Sequence, residues 1–139
     1  MPYRSTLLLF SEFFRTTERR EIVSLDPHCV FCKIIQKKIP SKIVYEDTTV
    51  TAFEDVNPQA PVHTLVVPNR HITDIHSMTE EDRELIGHLF FTARKIAKNK
   101  GLDSKGYRMV INNGSGAGQT VFHLHLHILS GRTFSWPPG

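Results

Sequence analysis

Three histidines at alternate positions, His123, His125 and His127, are the residues best spaced to do chemistry. They are interleaved with Leu124, Leu126 and Ile128. On an extended strand this alternation puts the imidazoles on one face and the aliphatic side chains on the other. Neighbouring histidines then stand roughly 6.5–7 Å apart at the backbone. Burying three imidazoles in such a strand is costly without partners, which points to a site. A neutral imidazole, with an ordinary pKa of ~6.5, is available as a nucleophile near neutral pH. Just upstream runs Gly116-Ala-Gly-Gln-Thr120. Glycines such as Gly116 and Gly118 let backbone N–H groups approach an anion closely, and turn amides can form an anion-binding nest. Gln119 and Thr120 add side-chain donors, as does Asn112 at the end of the preceding strand. The combination reads as a phosphate cradle with a nucleophile aimed into it. A three-histidine metal site and an exposed strand face are the alternatives.

Cys29 and Cys32 form a Cys-x-x-Cys pair, and they are the only cysteines. Structural zinc commonly takes two cysteines at this spacing with two histidines from elsewhere; two buried thiols on a short helix are the plainer reading. Two cysteines are too few for a disulfide scaffold, so a reducing, cytoplasmic compartment is expected. Asp55, beside Asn57-Pro58, reads on its own as a turn stabiliser. Phe53 and Leu65 read as core, and Trp136, beside two prolines, as a hydrophobic plug. His28, His76 and His88 receive no role.

These residues need positioning elements. Cys29 to Ile39 suggests a short helix stopped by Pro40. Lys42–Glu46 and Val50–Val56 read as strands joined by a turn at 47–49. The prolines at 58 and 61 make a loop, and His63–Pro68 is an apolar strand. Thr79 is the expected N-cap of the one long helix, with Glu80, Glu81 and Asp82 at its positive end. Leu85, Ile86, Leu89, Phe90, Ala93, Ile96 and Ala97 give it a buried stripe, and Gly101 stops it. Tyr107–Asn112 and Val121–Leu129 complete the strands. Strands following one another through short links, with one long helix, predict an antiparallel sheet and an α+β class.

The chain has 139 residues, 40% hydrophobic and 22% charged, with a formal charge of +3. That suits one soluble domain. Basic residues are dispersed, so no nucleic-acid partner is expected. No apolar run approaches the ~20 residues that span a bilayer. Residues 1–26 read as an N-terminal extension, helical or disordered, ahead of a domain at 27–139. Arg4, Arg15, Arg19 and Arg20 suggest an organellar address; Glu12, Glu18 and Glu21 argue against it.

The sequence resembles the histidine-triad (HIT) family, defined by three histidines alternating with apolar residues, and within it the Hint branch of purine nucleoside phosphoramidases. The likeness runs from about Cys29 to Gly139. It includes Phe53-Glu-Asp-Val-Asn-Pro-Gln-Ala-Pro61, His63-Thr-Leu-Val-Val-Pro68 and Trp136-Pro-Pro-Gly139. The resemblance implies a five-stranded antiparallel sheet with one long and one short helix, and a homodimer joined into a continuous sheet. It implies that His125 is the nucleophile and that His127 contacts the phosphate or the leaving group. His123 and His63 would orient them. Asn112, Gly118, Gln119 and Thr120 would bind phosphate oxygens, and Asp55 the ribose hydroxyls. Phe31, Ile34, Ile39, Phe53, Val56 and Leu65 would sandwich the purine. Trp136 would reach the partner's site. In zinc-bearing relatives the ligands match Cys29, Cys32, His71 and His123; others fold without metal.

The expected activity is hydrolysis of adenosine 5′-monophosphoramidate-type P–N bonds through a nucleotidyl-histidine, with purine nucleoside monophosphates as ligands. Alternatives are a dinucleoside polyphosphate hydrolase of a sister branch and a nucleotide-binding, zinc-stabilised scaffold.

Overall fold

The computed structural model describes residues 25–139, so nearly all of the expected N-terminal extension lies outside the described residues. A short helix α1 (Val30–Ile35) precedes strands β1 (Ile43–Glu46), β2 (Val50–Glu54) and β3 (Val62–Pro68). A 3-10 turn, Glu80–Asp82, leads into the long helix α2 (Arg83–Asn99), followed by β4 (Arg108–Val110) and β5 (Leu126–Ser130). The strands form one five-stranded sheet in the order β1-β2-β3-β5-β4, every pairing antiparallel. No helix among the described residues is long and apolar enough to cross a membrane.

Alternation along the strands divides the sheet into two faces. Val50, Ala52, Val66, Leu124, Leu126 and Ile128 pack in one core cluster with Leu89, Ala93, Ile96 and Ala97 of α2. The opposite face carries Phe53, Leu65 and Val67, covered by Phe31, Cys32 and Ile34 of α1. Register sets one row across that second face: Phe53 opposes Leu65, Leu65 opposes His127, and His127 opposes Val110. The third histidine therefore lies level with the apolar side chains under α1.

Element boundaries depart from the sequence reading in several places. The histidine strand begins at Leu126 rather than Val121. β3 ends at Pro68, which has no N–H to continue a ladder, and Leu124 N–H instead bonds Ile72 O at 2.6 Å. The inward–outward alternation nonetheless holds back to Leu124, which is core. β4 covers only Arg108–Val110, and β2 stops at Glu54. The first helix ends at Ile35 because Lys37 turns to φ +61°, letting Lys38 N–H bond Lys33 O at 2.9 Å. Thr79 caps the 3-10 turn, its N–H bonding Asp82 Oδ2 at 2.9 Å, one turn ahead of α2.

Candidate active site

His125 immediately precedes β5, so the nucleophile candidate is held by a strand entrance and not by a ladder. Its Nδ1 lies 2.7 Å from the carbonyl of His123. A carbonyl can only accept, so Nδ1 carries the proton and Nε2 keeps its lone pair. The ring is 7% exposed and packs edge-on against Phe31 at 5.2 Å and against His127 at 4.8 Å between centroids. Burial lowers its pKa, opposed by the bond to His123 O. Burial also pushes His127 down to about 4, helped by the neighbouring His125 and His63. Both rings are thus neutral at pH 7. His127 Nδ1 lies 2.9 Å from His63 Nε2, while His127 Nε2 is buried with no partner among the described residues.

The expected phosphate residues do not all face the same way. Gly118, at φ +94°, takes a left-handed conformation that favours glycine, and a Cβ there would stand 3.7 Å from Asn112 Nδ2. Asn112 and Gly118 are therefore neighbours, and Thr120 is exposed two residues further along. Gln119 is a correction. Its Nε2 donates to Thr73 O and Val121 O, its Oε1 accepts Gly114 N–H at 2.8 Å, and its own N–H bonds Gly114 O. With its donors engaged, it fastens the glycine loop rather than reaching a phosphate.

Phe31, Ile34, Phe53 and Leu65 share one apolar cluster, with Ile39 packed on its margin. Val56 is 94% exposed and stands outside that cluster; because β2 stops at Glu54, the alternation that would turn it inward no longer applies. Asp55 stabilises a turn, as its own sequence reading has it, and also reaches a site histidine. Its Oδ1 accepts Asn57 N–H at 2.8 Å in a turn, and its Oδ2 lies 3.3 Å from His63 Nε2. Trp136 is 83% exposed, on a tail fastened by Arg108 Nη2 to Ser135 O and by Arg108 and Arg132 over the Phe134 ring.

Cys29, Cys32, His71 and His123 converge as a second cluster. His123 Nδ1 is 3.3 Å from Cys29 Sγ, 3.5 Å from Cys32 Sγ and 3.2 Å from His71 Nδ1; Cys32 Sγ is 3.4 Å from His71 Nδ1. A tetrahedron with Zn–N of about 2.05 Å and Zn–S of about 2.3 Å has edges of about 3.3–3.8 Å, so the four atoms stand close to the required spacing. The protonation pattern also fits. His123 Nε2 donates to Pro68 O at 2.8 Å, which leaves Nδ1 bare toward the cluster. Burial pushes His123 down to about 4 and Cys32 up to about 11; a bound cation would reverse the penalty on the thiolate. Backbone N–H groups of Cys32 and Asp26 point at the two sulfurs.

Several contributors were hidden in the sequence. Asp26 reaches toward His71 Nε2 at 3.9 Å, and Pro68 acts through its carbonyl. Gln59 acts through its backbone N–H, 3.0 Å from His63 Nδ1. A backbone group leaves no side-chain signal, so only Asp26, an acid three residues before Cys29, could have been noticed.

The HIT domain pattern matches residues 36–134. A HIT-like protein of Synechocystis sp. is 54% identical over 110 residues, covering 79% of this chain and 96% of its own length. The crystal structure of a HIT family hydrolase from Legionella pneumophila superposes with a TM-score of 0.79 at 47% identity, covering 81% of this chain and 100% of that one. A histidine triad nucleotide-binding protein from Candida albicans gives 0.68 at 30% identity, covering 80% and 84%. With its histidines, register and two-helix, five-stranded architecture all in agreement, the chain belongs to the HIT domain family.

Proposed function

We propose that this protein hydrolyses purine nucleoside phosphoramidates, of the adenosine 5′-monophosphoramidate type, through a covalent nucleotidyl intermediate on His125. The observation that carries the reading is the fixed tautomer of His125: Nδ1–H is spent on His123 O at 2.7 Å, so the Nε2 lone pair is the one free to attack. Nε2 attacks phosphorus and the P–N bond breaks, the departing nitrogen taking from solvent the proton that the attacking water of the second step returns. Water then attacks phosphorus and breaks its bond to Nε2, releasing the monophosphate and regenerating the imidazole. Splitting the substitution in two in this way is covalent catalysis. Asn112 and the Gly118 peptide, together with Thr120, would meet the charge on the phosphoryl oxygens. His127, whose Nε2 has no partner among the described residues, would donate a hydrogen bond to the departing nitrogen. The base would pack on the apolar cluster around Phe31, Phe53 and Leu65, and the Asp55 carboxylate would meet the ribose. The name of the Candida relative, a nucleotide-binding protein, supports a nucleotide as the ligand.

Zinc in the Cys29, Cys32, His71 and His123 cluster would be structural, tying α1 to the segment that carries the triad. A homodimer joined through the sheet would use β4, the strand at one end of the order, and would bring the exposed Trp136 to the partner's site. The experiment for the chemistry is a rapid quench during turnover. Wild-type protein should carry a nucleotidyl mass adduct on His125. His125→Asn should lose turnover by several orders of magnitude and still bind AMP or GMP. Near-wild-type turnover by His125→Asn would refute the mechanism.

A further inference from the structure

Gln59 lies on the loop between β2 and β3, and its peptide N–H stands 3.0 Å from His63 Nδ1. A backbone N–H can only donate, so His63 Nδ1 must offer its lone pair, and the proton of the neutral ring belongs on Nε2. His63 Nε2 is 2.9 Å from His127 Nδ1 and donates to it. His127 Nδ1 is then an acceptor, which leaves the proton of that neutral ring on Nε2. That Nε2 is the buried atom with no partner among the described residues.

We infer that the Gln59 peptide N–H is a tautomer lock, which places the His127 proton on Nε2 and keeps His63 neutral beside the Asp55 carboxylate. An imidazole next to a carboxylate is ordinarily drawn toward the cation. Here the second proton would have to sit on Nδ1, face to face with the Gln59 N–H. Burial opposes protonation of His63 as well, and outweighs the pull of Asp55 and Glu54. Gln59 itself is clamped. Its carbonyl accepts Arg132 Nε at 3.1 Å, while its side chain makes only an exposed local bond to Asn57 O. Asn57 N–H is in turn tied to Asp55 Oδ1. Gln59 is thus a positioning residue that acts through two histidines on the reacting group.

The lock also distinguishes the two histidine clusters. Asp55, His63 and His127 bring three potential ligand atoms together, but His63 Nε2 could bind a cation only by surrendering its proton while Nδ1 still accepts from Gln59. The ring would have to become imidazolate. His123 is arranged the other way, with Nε2–H spent on Pro68 O and Nδ1 free. One cluster suits a cation, and the other fixes the His127 Nε2–H as a hydrogen-bond donor toward the reacting group.

This inference rests on the proposed attack by His125 and on the hydrogen bond that His127 donates to the departing nitrogen. Its test replaces Gln59 in the full chain by the matching α-hydroxy acid, so that the 58–59 peptide becomes an ester without N–H. Gln59→Ala, which keeps the N–H, is the control. Imidazole nitrogen NMR should show His63 and His127 protonated at Nε2 in wild type and Gln59→Ala. The ester protein should show a mixed or doubly protonated His63. Its kcat for a phosphoramidate should fall at least about tenfold, because one positioned hydrogen-bond donor at the reacting group is worth roughly 10²–10³-fold, with KM nearly unchanged. A nucleotide ester of an acidic phenol, whose leaving group needs no proton, should keep its rate. Wild-type His127 protonated at Nδ1, or an ester protein with wild-type tautomers and kcat, would overturn the lock. If the ester protein does not fold, the wild-type spectrum alone decides. If wild type turns over no phosphoramidate, the functional reading falls while the nitrogen spectra still test the lock.

Discussion

Replacing Cys29 by serine isolates the metal from the fold more cleanly than any other change in its cluster. Cys29 Sγ also caps α1, accepting Cys32 N–H at 3.4 Å, and serine is among the best residues at that position. Helix capping survives the substitution, so what is lost is one sulfur of the four candidate ligand atoms. Metal binding to the folded state alone stabilises by RT ln(1 + [Zn]/Kd), about 4.1 kcal/mol when free zinc is a thousandfold above Kd. For a domain of this size about 1 kcal/mol moves Tm by roughly 3–5 °C, so saturating zinc should raise Tm by about 12–20 °C. Each further tenfold of free zinc should add about 1.4 kcal/mol, or roughly 4–7 °C. The assay is calorimetry in chelator-buffered zinc, with metal content measured alongside. Wild type should climb along that slope and contain about one zinc per chain, as one tetrahedral site requires. Cys29→Ser should stay nearly flat with little metal. A wild-type Tm indifferent to free zinc across the series would refute the fit argued from the spacing of the four ligand atoms.

Asp47 is a second, independent anchor. Burial pushes its carboxyl up, but Thr49 N–H, the Tyr45 hydroxyl, His88 and Val50 N–H hold it well below the ordinary carboxylate range. A depressed carboxylate contributes stability above its unfolded pKa of ~3.9 and loses it as pH falls; Asp47→Asn should therefore cost about 1–3 kcal/mol at pH 7 and progressively less below pH ~4. Urea unfolding of both proteins across pH checks this, and a constant difference down to pH 2 would refute it. Deleting residues 136–139 should change discrimination among amine leaving groups more than affinity for the monophosphate. In mixed dimers of a truncated chain with a His125→Ala chain, wild-type selectivity would support a tail acting across the dimer, and selectivity of the fully truncated dimer would refute it.

Periodicity made most of the architecture legible. The alternation of His123, His125 and His127 with Leu124, Leu126 and Ile128 assigned the two faces correctly, even though ladder pairing starts only at Leu126. The α2 stripe was nearly as plain, because Leu89, Ala93, Ile96 and Ala97 repeat at helical spacing and are all buried, whereas Phe90, read into the stripe, falls on its margin and is exposed. The boundaries were not legible. Lys37 takes a left-handed conformation that its side chain does not advertise, and the start of β5 depends on where Pro68 leaves β3. In the site, Cys29, Cys32, His71 and His123 assemble as the resemblance implied. Gln119 and Val56 sit differently from what their residue types suggest. Residue type says what a side chain can offer, but here the loop had already taken the donors of Gln119 and left Val56 in solvent. His88 received no role, yet it joins α2 to the β1–β2 turn through Asp47 at 2.7 Å.

The two clusters share one stretch of backbone, and this bears on how the site is kept rigid. His123 presents Nδ1 to Cys29, Cys32 and His71, holds Pro68 O with Nε2, and lends its carbonyl to His125 Nδ1. Its ring and its peptide therefore serve different clusters, and neither can rotate without disturbing the other. A segment without ladder hydrogen bonds from 121 to 125 would ordinarily be a weak platform for a nucleophile. Side-chain and carbonyl bonds replace the missing ladder on one side, while Leu124 in the core below α2 holds the other. That the histidines orient through backbone groups has a further consequence. Carbonyls of His123 and Pro68 and the N–H of Gln59 keep one donor or acceptor sense at any pH, whereas a side-chain acid or base in their place would change with its own protonation. Tautomers fixed by such partners stay fixed while substrate charge comes and goes beside them.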